Sequence, residues 1–84
     1  MGEIIWEEKT FHFLNKLDFL ISSRIVKKVN MLKENPFSKD VKRLRNSDNF
    51  RLRVGDYRVI FDIQGNKIRI IKIGHRKIFI KNEI

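Results

Sequence analysis

The chain has 84 residues and a mass of 10.2 kDa, enough for one hydrophobic core and hence one expected domain, residues 1–84. The absence of cysteine excludes disulfide staples, thiolate metal sites and cysteine nucleophiles, and suits a reducing cytoplasm. With 42% hydrophobic and 35% charged residues and a formal net charge of +9, the chain is too apolar to stay disordered and strongly cationic.

Glu3–Trp6 is short, apolar and β-prone, and predicts a first strand. Phe11, Leu14 and Leu17, with Phe13 near the edge, recur at helical spacing and predict a short helix with these residues turned inward. Asp18 offers a side-chain cap for a second helix, whose stripe is Ile21, Ile25, Val29 and Leu32. That helix should stop at Asn35-Pro36, because proline disfavours α geometry in the residue before it. From residue 41 the period changes to two. Phe50, Leu52 and Val54 alternate with Arg51 and Arg53, then Gly55-Asp56 makes a turn, and Tyr57, Val59, Phe61 and Ile63 alternate with Arg58, Ile60 and Asp62. A second turn at Gln64-Gly65-Asn66 leads into Lys67–Ile73, where the run of isoleucines leaves the inward face unassigned. Gly74 is expected to break this last strand, ahead of His75-Arg76-Lys77 and an apolar tail, Ile78–Ile80. The fold class is therefore α+β, with an N-terminal strand, a helical hairpin and a twisted antiparallel β-meander.

No apolar stretch approaches the roughly 20 residues of a membrane helix, and no basic leader precedes an apolar block in Met1–Trp6, so neither membrane insertion nor export is expected. The charge is unevenly placed. Residues 1–36 carry six basic and five acidic side chains, a net of +1, whereas residues 37–84 carry thirteen basic, seven of them arginine, and five acidic, a net of +8. Such a half attracts phosphate backbones or an acidic protein, and arginine favours bidentate phosphate contacts.

Residues two apart in a strand share a face, and a tight hairpin brings Arg58 opposite the pair Arg51 and Arg53. Like charges on adjacent strands destabilise a sheet unless something lies between them. An anion site on rigid strands is the functional reading. Arg76 is expected on the same surface, with Lys42, Arg43 and Arg45 as an approach ramp and Lys77 beside it. The sequence has no HExxH, no glycine-rich phosphate loop and no zinc spacing, so no metal or cofactor is expected. His12, between two phenylalanines, reads as an ordinary helix residue. His75, beside Arg76, is a candidate for proton transfer near neutral pH.

These segments carry a family resemblance. RLRVGDYRVIF (residues 51–61) and IKIGHRK (71–77), with LKENPF (32–37) and VKRL (41–44), resemble the RelE/ParE superfamily of toxins from toxin–antitoxin pairs, and the RelE-like branch above all. The likeness spans nearly the whole chain. It implies a toxin that cleaves messenger RNA in the ribosomal A site without a metal, the ribose 2′-hydroxyl attacking the neighbouring phosphate. It also implies a cognate acidic, RelB-like antitoxin. Carried over residue by residue, the family's site falls on Arg51 and Arg53, on Arg58, and on Arg76. The family's C-terminal tyrosine would fall near Ile80, which has no hydroxyl; Phe79 is the neighbouring aromatic and a candidate for stacking on a base. Arginine cannot be deprotonated in proteins, so Arg51 and Arg53 are expected to stabilise phosphate charge rather than act as bases. The alternatives are a ParE-like toxin that inhibits gyrase without catalysis, and an RNA-binding domain that does not cut.

Overall fold

In the computed structural model, which describes residues 2–78, the chain runs β1 (Glu3–Trp6), α1 (Glu8–Lys16), α2 (Phe19–Met31), β2 (Val41–Arg43), β3 (Phe50–Val54), β4 (Tyr57–Gln64) and β5 (Lys67–His75). The strands form one sheet in the order β1-β5-β4-β3-β2. All neighbours are antiparallel except β1, which runs parallel to β5 with Ile4 opposite Ile68 and Trp6 opposite Ile70. This is the expected α+β order, with the added fact that the first strand lies beside the last.

Two-residue turns join β3 to β4 and β4 to β5. Each has glycine at its first central position with positive φ, Gly55 at 58° and Gly65 at 59°, a geometry that matches the twist of the flanking strands. A methyl group at Gly55 would meet only Arg24 Nη1, 3.9 Å away, so the cost of a side chain there is conformational rather than steric crowding. Gly55→Ala should therefore lower stability by about 1–2 kcal/mol, measured as a shift in the urea midpoint.

The helices cover one face of the sheet. On α2, Ile25 and Val29 are fully buried, Leu32 follows them, and the Asp18 carboxylate caps the helix by accepting the Leu20 N–H at 3.1 Å. The helix ends at Met31, one turn before Asn35-Pro36. The reason is local: Leu32 and Lys33 donate their N–H groups to Val29 and Asn30, tightening the last turn into three-residue steps. Asn35 then accepts the Phe37 N–H through its side chain and turns the chain toward the sheet.

The shorter helix corrects the sequence reading. Its inward residues are Thr10 and Leu14, while Phe11 and Phe13 face solvent at 47% and 40% exposure. The rotation follows from the Thr10 hydroxyl, which donates to the carbonyl of Ile71. Ile71 is the extra residue at an irregularity in the β4–β5 ladder, where Ile60 pairs with Lys72 but Phe61 pairs with Ile70. The irregularity also decides which isoleucines of β5 turn inward: Ile68, Ile70 and Ile73 join the core, and Arg69 and Lys72 lie on the other face. Gly74 does not break the strand. It pairs with Arg58, and β5 continues to His75.

Candidate nucleic-acid interface

The sheet face away from the helices is set by strand alternation. Leu52, Val54, Val59 and Phe61 enter the core, so Arg51, Arg53, Arg58, Ile60 and Asp62 project to the other side. Across the strands these residues form rows. One row is Lys42, Arg51, Ile60 and Lys72; the next is Arg53, Arg58 and Gly74; a third pairs Asp62 with Arg69. Five cations, Lys42, Arg51, Arg53, Arg58 and Lys72, thus occupy the first two rows. Ile60 sits among them only 7% exposed, and the Nε of Arg51 is shielded from solvent.

Arg53 and Arg58 are directly opposite one another, one step beyond the pair that closes the turn. That step is a non-hydrogen-bonded position, where cross-strand side chains come closest. The two guanidinium groups lean apart. Arg58 folds back along its own strand, its Nη1 donating to the carbonyls of Gly55 and Tyr57 at 2.9 Å each. Arg53 turns to the sheet edge, where its Nη2 donates to Asp40 Oδ1 at 2.9 Å. The carboxylate of Asp62, on the same face, takes both Nε and Nη2 of Arg69, at 3.2 and 2.7 Å, rather than screening this pair. Glu7 joins them at 3.4 Å.

The remaining sequence candidates are more scattered. Lys42 lies on the cationic face, but its neighbour Arg43 alternates to the opposite side, opposite Phe50, and is held by the Ser47 carbonyl and Asp48. Arg45 sits in the loop between β2 and β3. The supposed ramp is therefore split across the sheet edge. Arg76 lies over the first hairpin turn, its N–H donating to the Asp56 carbonyl at 2.7 Å and its Nε 3.5 Å from the Asp56 carboxylate. His75 pairs in register with Tyr57, so it belongs to the helix side of the sheet; its ring meets the Tyr57 ring edge-on at 5.5 Å, and its Nδ1 accepts the Lys77 N–H. Phe79 and Ile80 lie outside the described residues.

Residues 4–78 match the family of the ParE toxin of type II toxin–antitoxin systems, parDE. The chain belongs to that family. Solved structures share the toxin's fold. The RelE–RelB complex of Pyrococcus horikoshii OT3 superposes with a TM-score of 0.80 at 25% identity, covering 89% of the toxin and 94% of that chain. The RelBE2 toxin–antitoxin complex of Mycobacterium tuberculosis gives 0.79 at 24% identity, with 89% and 98% covered. The isolated RelE toxin of Escherichia coli gives 0.77 at 19%, with 89% and 84% covered. No curated protein matches the toxin. RelE-like architecture and membership of the RelE/ParE superfamily are thus shown together.

Two residues of the toxin that sequence reasoning missed belong to this region. Lys72 was hidden by the isoleucine run around it. Asp40 had no local signal, because its partners are twelve and thirteen residues away. The ammonium of Lys28 first, and the Arg53 guanidinium second, hold the Asp40 carboxyl below the usual carboxylate range. A carboxyl whose pKa is depressed by folding stabilises the protein above its unfolded value, about 3.9, and that contribution fades as pH falls through the folded value. The melting temperature of the wild type should thus fall below about pH 4, and the gap between it and Asp40→Asn should narrow there. Scanning calorimetry from neutral pH downward checks this.

Among the described residues, no helix is long and apolar enough to cross a membrane, and no group of three His, Asp or Glu is placed to hold a metal ion.

Proposed function

We propose that this toxin is a ribosome-dependent endoribonuclease that cuts messenger RNA in the A site without a metal ion and so inhibits translation in the cytoplasm. The observation that supports the reading is the set Lys42, Arg51, Arg53, Arg58 and Lys72 on one rigid sheet face. In this scheme the ribose 2′-hydroxyl attacks the adjacent phosphorus, a 2′,3′-cyclic phosphate forms, and the 5′-oxygen leaves with a proton. Arg51, Arg53 and Arg58 stabilise the charge that builds on the phosphate oxygens, which preorganised donors do best when mounted on regular structure. No arginine serves as the base. His75 is across the sheet against Tyr57, so the scheme draws its proton transfers from water or ribosomal groups. Arg76, Lys77 and Arg45 add long-range attraction for RNA.

The antitoxin partner follows from the family and from two surfaces. The cationic face calls for acidic side chains, and the helical hairpin exposes Phe19 and Leu20 at 77% and 71%, with Phe19, Phe11 and Val26 lining one groove. An acidic amphipathic segment complements both. The relatives from Pyrococcus horikoshii and Mycobacterium tuberculosis are toxin–antitoxin complexes, which supports the same partner class.

A second reading, inhibition of DNA gyrase without catalysis, draws support from the ParE name of the matching family. One experiment separates them. Purified toxin is added to a reconstituted translation reaction and, in parallel, to a gyrase supercoiling reaction. Message cut only in the presence of ribosomes supports the nuclease; blocked supercoiling with intact message overturns it.

A further inference from the structure

Asp40 stands immediately before β2 and ties three elements together. Its backbone carbonyl accepts the Arg53 N–H at 2.9 Å, its Oδ1 accepts Arg53 Nη2 at 2.9 Å, and its Oδ2 accepts Lys28 Nζ from α2. The carboxylate is only 13% exposed, whereas the Arg53 side chain remains 54% exposed. A guanidinium offers five N–H donors in a planar fork, so a carboxylate gripping one Nη leaves the rest of the fork available to a phosphate and limits its rotation.

Charge makes the arrangement more specific. A carboxylate beside Arg53 alone would cancel the attraction that the face exerts on a phosphate. With Lys28 the trio keeps a net charge of +1, so Arg53 is held without the group as a whole being neutralised.

We propose that Asp40 is a positioning residue for the phosphate site, fixing the Arg53 guanidinium at the rim of the cationic face while Lys28 compensates its charge. The inference rests on the nuclease reading above. It makes an unusual pair of expectations. Asp40→Asn removes a negative charge, so binding to the message-loaded ribosome should be unchanged or tighter, with KM equal or lower. Turnover should nevertheless fall about ten-fold or more, because misplacing a charge-stabilising group by about 1 Å is costly. Lys28→Met leaves the carboxylate uncompensated and should raise KM about three-fold, in line with one lost cation near RNA.

The deciding measurement is message cleavage on purified ribosomes, with kcat and KM determined for wild type, Asp40→Asn, Arg53→Ala and the double variant, and with melting temperatures alongside. If Asp40 acts through Arg53, then Asp40→Asn costs nothing further once Arg53 is alanine. Independent, multiplying losses in the double variant overturn the proposal, as does wild-type turnover in Asp40→Asn. A KM that rises together with a falling kcat and a lowered melting temperature marks Asp40 as structural only, and also overturns it. Should Asp40→Asn not fold, Lys28→Met carries the test, and an unchanged KM there counts against the proposal. A wild-type chain that cuts no message overturns the nuclease reading itself, a result visible before any variant is measured.

Discussion

Arg58→Ala should reduce ribosome-dependent cleavage by about 10²–10³-fold, the usual effect of removing one preorganised donor from a developing anion. Its melting temperature should stay within a few degrees of wild type. The prediction follows from where the side chain sits: on the central part of the sheet, on the face away from the helices, directly opposite Arg53, with Nη1 resting on the carbonyls of Gly55 and Tyr57. The Gly55 carbonyl lies at an exposed turn, where water replaces a lost donor at little cost, and the Tyr57 carbonyl at the start of β4 is only half-buried. Arg58→Lys should restore only part of the loss, because an ammonium keeps the charge but not the planar fork. Full activity in Arg58→Ala would remove the face from the chemistry.

Phe61→Ala should have the largest effect on folding, about 3–5 kcal/mol. Phe61 is completely buried at the middle of the sheet, stacked on Phe50 with ring centroids 5.4 Å apart and paired with Ile70 on the other side. A domain of this length holds only about 4–12 kcal/mol in total. The variant should therefore be largely unfolded at body temperature, or sit at a much lower denaturant midpoint with an unchanged slope. Phe37→Ala is the internal control. That ring also touches Phe50, at 5.6 Å, but is 64% exposed, so its loss should cost far less.

Much of the architecture was legible because the controlling interactions are local in sequence. The period-two pattern of Phe50, Leu52 and Val54 is a property of five consecutive residues, and the Asp18 cap acts on a residue two positions on. The same is true of the glycine turns. What was not legible depends on distant partners. Phe11 read as core, with Phe13 near its edge, because both are apolar, but Thr10 takes the inward position through a carbonyl sixty-one residues away. The inward isoleucines of β5 were undecidable without the irregularity at Ile71.

The cationic face divides in the same way. That Arg51, Arg53 and Arg58 share a side is alternation, and could be read directly. How their charges coexist could not. Arg53 relies on Asp40 across the sheet edge, Arg58 on carbonyls behind it, and Arg69 on Asp62 across a hairpin. Arg43 and His75 were grouped with the cluster because they are close in sequence to its members, yet strand alternation and register put each on the helix side.

The parallel pairing of β1 with β5 governs when the toxin's sheet can close. The strand synthesised first has no neighbour until residues 67–70 have emerged, and α1 likewise waits for the Ile71 carbonyl. Such long-range closure is slow compared with local helix formation. A nascent chain that has not yet released residues 67–75 therefore lacks a finished sheet, and the cationic face, to which β5 contributes Lys72, is the last part of the sheet to be completed.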